Sequence, residues 1–114
     1  MLPKKRRIPR SLFPQTINGS YFFNSKSLNL RVYKSADEKK PSKVSFITSK
    51  KVSSKAVERN LVRRRGYSIF KPLMENIKPS LLLIFALKKE VISVTFEDLK
   101  AEINDLLRKA EAFK

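Results

Sequence analysis

Lys50-Lys51-Val52-Ser53-Ser54-Lys55-Ala56-Val57-Glu58-Arg59-Asn60-Leu61-Val62-Arg63-Arg64-Arg65 places seven cations among sixteen residues. The spacing predicts a helix from about Ser54 to Phe70, ended by the breaker Pro72. At 100° per residue, Arg59, Asn60, Arg63, Arg64, Tyr67 and Lys71 fall within an arc of about 140°, and Leu61, Val62, Ile69 and Leu73 share a separate side. One face is therefore expected to be cationic and the other buried. Like charges four apart, such as Arg59 and Arg63, destabilise a helix unless an anion faces them. Guanidinium groups interleaved with an amide and a phenol suit phosphate forks, sugar hydroxyls and base stacking. Arg65 falls on the arc of Leu61 and Ile69, so either it snorkels past the core edge or the helix bends near Gly66.

Upstream, Ser20 to Phe23 and Leu28 to Tyr33 read as two strands around a polar turn, with Leu28, Leu30 and Val32 alternating with polar neighbours. Asp37 to Ser42 is a charged loop, and Val44 to Thr48 a third strand leading into Ser49, Lys50 and Lys51. A short helix is expected from Ser11, with Leu12, Phe13, Thr16 and Ile17 partly on one face. Residues 1–10 read as a mobile basic arm, because a segment with five cations and two prolines cannot bury itself. Downstream, Leu81 to Ala86 is an apolar strand that should be central. Phe96, Leu99, Ile103, Leu106, Leu107 and Ala110 recur at helical steps after Thr95 and Asp98, a variant of the capping box. Residues 11–114 thus read as one domain of α+β class.

The full chain has 114 residues, with 26 Lys+Arg against 10 Asp+Glu, for a formal charge of +16. Residues 1–89 carry +18 of this and residues 90–114 carry −2, so the charge is directed. A polyanion is the expected partner, since it relieves the self-repulsion. Eight Phe and 41% hydrophobic residues argue for a packed core. With no His and no Cys, the usual proton shuttle and thiolate or imidazole metal ligands are missing, which disfavours a self-sufficient enzyme site. No apolar run reaches the roughly 20 residues of a membrane span, so a cytoplasmic protein without membrane partners is expected.

The stretch Ser49-Lys50-Lys51, followed by Ala56-Val57-Glu58-Arg59-Asn60-Leu61-Val62-Arg63-Arg64, resembles the signature of the bacterial ribonuclease P protein family, Ser-Lys-Lys and then Ala-Val-x-Arg-Asn-Arg-x-Lys-Arg. Phe13, Tyr33, the apolar strand and the Thr-aromatic-acid start of the last helix extend the likeness over nearly the whole chain. Leu61 replaces the second Arg of Arg-Asn-Arg, Tyr67 stands where another Arg is usual, and Ile17 replaces a family Phe; Arg65 offers compensation. The resemblance implies an α/β sandwich of order αβββαβα, similar to a ribosomal-protein domain, with a left-handed βαβ crossover. It also implies RNA-binding by Phe13, Tyr33, Ser49, Lys50, Lys51, Lys55, Arg59, Asn60, Arg63, Arg64, Arg65 and Tyr67. Phe13, Tyr33, Lys50 and Lys51 would line a cleft for the 5′ leader of precursor tRNA. The basic helix would meet the catalytic RNA subunit or the substrate near the cleavage site. In that family the RNA hydrolyses the substrate using Mg²⁺ held mainly by the RNA, and the protein, a monomer before assembly, is the non-catalytic subunit of the endoribonuclease that supplies substrate affinity and favours metal binding. The main alternative is a ribosomal protein or ribosome-assembly factor on the same scaffold. A DNA-binding regulator would need a dimer and a base-reading surface, and a stand-alone nuclease would need clustered ligands.

Overall fold

Every second residue of Leu81–Leu87 points into one core, and this strand is the centre of the fold. The computed structural model describes residues 21–34 and 41–114. Within them β1 (Tyr21–Asn24), β2 (Leu28–Lys34), β3 (Lys43–Ile47) and β4 (Leu81–Leu87) form one sheet in the order β1-β2-β4-β3. β2 pairs antiparallel with both β1 and β4, and β3 pairs parallel with β4. A parallel pair needs a crossover, and α1 (Ala56–Phe70) supplies it; α2 (Phe96–Lys109) follows β4. Short 3-10 helices at Lys71–Asn76 and Lys89–Ser93 flank β4, the first with Pro72 in its opening turn. From β1 onward the expected order βββαβα is present within a mixed α+β domain. The helix expected from Ser11, the basic arm and most of the Asp37 to Ser42 loop lie outside the described residues.

Both helices lie on one face of the sheet. Leu28, Leu30, Val32, Val44, Phe46, Leu83 and Phe85 pack there against Val62, Ile69, Phe70, Leu99, Ile103, Leu106 and Leu107. Phe46 is the hub: its ring stacks on Phe85 with centroids 4.7 Å apart and meets Tyr67 edge-on at 5.0 Å. The opposite face carries a small second cluster of Leu82, Ile84 and Tyr33. β4 is thus apolar on both sides, which is why it reads as a continuous hydrophobic run.

α2 follows its sequence pattern closely. Thr95 Oγ1 accepts a hydrogen bond from the Asp98 amide at 3.1 Å. Glu97 and Asp98 occupy the first turn, and Arg108 and Lys109 the last, each complementing the helix dipole. The helix closes in a Schellman arrangement: the Ala112 amide donates to the Leu107 carbonyl and the Glu111 amide to Arg108, both at 3.0 Å. Glu102 ties α2 to the β1–β2 turn, its Oε1 accepting from the Ser25 hydroxyl at 2.6 Å and the Ser27 amide at 2.8 Å. Partial burial raises the proton affinity of this carboxyl, but the hydrogen bonds from Ser25 and Ser27 outweigh it and hold the pKa below the usual value.

Candidate nucleic-acid interface

Between β3 and α1, the cations expected to meet RNA hang on a short hydrogen-bonded bridge. Ser49 opens it, its hydroxyl accepting from the Lys51 amide at 3.2 Å and its carbonyl from the Val52 amide at 2.9 Å. Val52 is buried and pins the turn, while Ser49, Lys50, Lys51 and Lys55 are exposed. Lys55 caps α1. The Ser53 hydroxyl donates to Glu58 Oε1 at 2.5 Å, and the Arg59 guanidinium donates to the Ser53 carbonyl at 2.8 Å. Arg59 therefore braces the entry to the helix, and only part of its side chain is exposed.

The orientation of α1 corrects the helical wheel. Val62, Gly66, Tyr67, Ile69 and Phe70 face the core. Tyr67, expected in the middle of the cationic arc, is 6% exposed. Its hydroxyl accepts from the Phe46 amide at 3.2 Å, satisfying a backbone group of the edge strand β3. Leu61, expected in the core, is 46% exposed. The buried arc is turned by roughly a quarter of a turn from the expected one, because its centre is Gly66, which contributes no apolar signal. The outward face carries Val57, Asn60, Leu61 and Arg64, with Arg63 and Arg65 half-buried at its margins. Asn60, Arg63 and Arg64 still converge, lining a shallow recess whose wall is Tyr67. Arg65 sits at the helix margin of an unbroken α1, so no bend at Gly66 is needed.

On the sheet face away from the helices, the register sets rows of side chains across the strands. Phe22 stands opposite Arg31, which stands opposite Ile84; Tyr33 stands opposite Leu82, and Asn29 opposite Ala86. Phe22, Asn29, Arg31, Tyr33, Ile47, Ile84 and Ala86 line a concave patch of about 490 Å³. The Arg31 guanidinium lies 5.1 Å from the centroid of the half-exposed Phe22 ring, a cation–π contact. Sequence reading singled out Tyr33 and passed over Phe22 and Arg31. The cross-strand pairing of an aromatic with an arginine becomes visible only once the β1–β2 register is known. Phe13 lies outside the described residues.

Among the described residues no three carboxylates converge as metal ligands, and no helix is long and apolar enough to cross a membrane. Fold and charge together define a basic α+β domain with a cation-lined helix and an aromatic-cationic sheet face, a design suited to a polyanion.

A family model for ribonuclease P matches residues 2–111. The chain belongs to the ribonuclease P protein family. Over 71 residues it is 39% identical to the ribonuclease P protein component of Synechococcus sp. strain JA-2-3B'a(2-13), covering 62% of this chain and 53% of the relative. The counterpart from strain JA-3-3Ab is 41% identical over 71 residues, covering 62% and 56%. The match thus spans just over half the length of these curated relatives. The RNase P protein structure of Staphylococcus aureus superposes with a TM-score of 0.82 at 18% identity, covering 96% of this chain and 98% of that one. For Thermotoga maritima the TM-score is 0.77 at 18% identity, covering 90% and 96%. At such identities the likeness to the solved structures is one of fold.

Proposed function

We propose that this chain is the protein subunit of a ribonuclease P holoenzyme, binding the catalytic RNA and the 5′ leader of precursor tRNA so that the RNA can remove the leader. The observation that carries the proposal is the family match over residues 2–111, which includes the cation-bearing bridge and α1. In this reading Lys50, Lys51 and Lys55 with Asn60, Arg63 and Arg64 contact RNA backbone. The sheet face with Tyr33, Phe22 and Arg31 holds unstacked leader nucleotides, since aromatic faces accept any base. The RNA holds the Mg²⁺ and performs the hydrolysis, in keeping with a chain that has neither His nor Cys. The protein lowers the Mg²⁺ needed by neutralising phosphate repulsion.

The test is cleavage of precursor tRNA by a bacterial ribonuclease P RNA at low Mg²⁺, with and without this protein. The expected result is that the protein alone cleaves nothing and that adding it to the RNA raises turnover. Cleavage by the protein alone, or no gain with the RNA, overturns the proposal.

A further inference from the structure

On the helix side of the sheet, away from both the cationic bridge and the Tyr33 face, lies a cavity of about 640 Å³ whose lining includes Tyr21, Lys34, Lys78, Ser80, Lys109 and Glu111. Its size is that of a small-ligand site. Its rim is cationic: Lys34, Lys78 and Lys109 are exposed, and among the described residues the only ion pair they make is the exposed one between Lys109 and Asp105 at 3.1 Å. Such a surface pair holds a lysine weakly. Tyr21, 56% exposed, is part of the lining. Glu111 is the one acidic residue that lines the same space.

The backbone beneath it is unusual in the same place. Among the described residues two non-glycine positions have positive φ, Ser80 at 68° and Glu111 at 55°. Both line this cavity. Ser80 follows Pro79 in the turn before β4, at the place where such a turn favours Gly. Glu111 is the residue after the α2 cap, where a Schellman motif also favours Gly. At both positions a side chain is present where backbone preference argues against one, and strained residues of this kind gather at functional sites.

The two segments are locked together, so the cavity is preformed. The Lys78 amide donates to the Ala112 carbonyl at 2.8 Å. The buried Ser42 hydroxyl donates to the Lys78 carbonyl and accepts from the Leu81 amide.

We infer that this cavity is a second RNA site, separate from the proposed leader face, which takes one unstacked nucleotide bearing an exocyclic amino group. Tyr21 stacks on the base, Lys34, Lys78 and Lys109 hold the flanking phosphates, and Glu111 accepts a hydrogen bond from the amino group. A carboxylate amid three lysines weakens the site for a bare phosphate ligand. It gains a partner where it reads an exocyclic amino group, which adenine, cytosine and guanine carry and for which uracil offers only its ring N3–H.

The test titrates the full chain with short oligoadenylate and oligouridylate and follows the backbone amide signals of Lys78, Ser80 and Glu111. Oligoadenylate should move these signals saturably and bind at least several-fold more tightly here than oligouridylate. Tyr21→Ala should weaken this binding about ten-fold, within the range for loss of one stacked base, and Tyr33→Ala should leave it unchanged. Glu111→Gly should raise the melting temperature by a few degrees, through relief of the left-handed backbone, and abolish the preference for adenine. Amides that stay still, equal binding of the two oligonucleotides, or a Glu111→Gly variant that binds both more tightly would each overturn the inference. None of these outcomes depends on whether the protein stimulates ribonuclease P RNA, so the two proposals fail separately.

Discussion

Gly66 lies so close to Phe46 that a Cβ on it would stand 2.5 Å from the ring's Cδ1. Glycine in a helix interior costs about 1 kcal/mol relative to alanine, so propensity alone favours Gly66→Ala. The ring cannot easily yield, because it is stacked on Phe85 and abutted by Tyr67. Overpacking of this kind costs about 1–3 kcal/mol. Gly66→Ala is therefore expected to lower the urea midpoint, and Phe46→Leu in the same chain to restore part of the loss. A midpoint that rises with Gly66→Ala alone would show that β3 and α1 can separate freely.

Tyr67 and Leu61 exchange the roles their chemistry suggests. Tyr67→Phe removes the acceptor for the Phe46 amide and should cost about 1 kcal/mol, with no change in the salt dependence of RNA binding. Leu61→Arg places a cation on an exposed face beside Arg64, so stability should stay within about 0.5 kcal/mol. The log–log salt slope should steepen by about 0.7–0.9, for one added phosphate contact. Thermal melts and salt-titrated binding of the two variants decide the matter, and an unstable Leu61→Arg protein would mean the helix is turned the other way.

Glu102 should give the fold an acid limb. Its pKa is lowered in the folded state, so its contribution to stability is fully present above the unfolded carboxyl value of about 4.3. That contribution is lost as pH falls through the lower, folded value. Glu102→Gln should flatten stability against pH in this acid window and lower stability near neutrality. An unchanged acid limb in denaturant melts from pH 6 to pH 3 would remove Glu102 from this role.

Tyr33 and Phe22 should act on leader nucleotides and not on the tRNA body. Each alanine substitution is expected to weaken binding of precursor tRNA by about 1–3 kcal/mol if a base stacks on the ring, while mature tRNA binding stays the same. Arg31→Met should weaken leader binding less, since it removes a cation and leaves the Phe22 ring. Equal losses for precursor and mature tRNA, with early melting, would make these residues structural.

Most elements were legible because their patterns were redundant. α2 announced itself through six apolar residues at helical steps and a Thr95–Asp98 cap, and the cap is present. The strands lie within about one residue of their expected ends. Leu81–Leu87 revealed its central place by being apolar at every position. α1 was legible as a helix but not in its rotation. Its buried face is centred on a glycine, its outward face carries Val57 and Leu61, and its core tyrosine has a polar tip. Hydrophobicity therefore pointed the wrong way at four positions. The sheet-face pair of Phe22 and Arg31 was hidden for another reason: it depends on register between strands, which no single segment encodes.

The sheet places β4 between β2 and β3, although β4 is the last of the four strands in the chain. During synthesis, β1, β2, β3 and all of α1 are made before the strand that joins them. Until residues 81–87 are available, β2 and β3 have no common neighbour, and Phe46 lacks the Phe85 ring on which it stacks. Pairings of this sequence separation close slowly. A ribosome still making residue 70 thus carries a strongly cationic segment with no completed sheet to pack against.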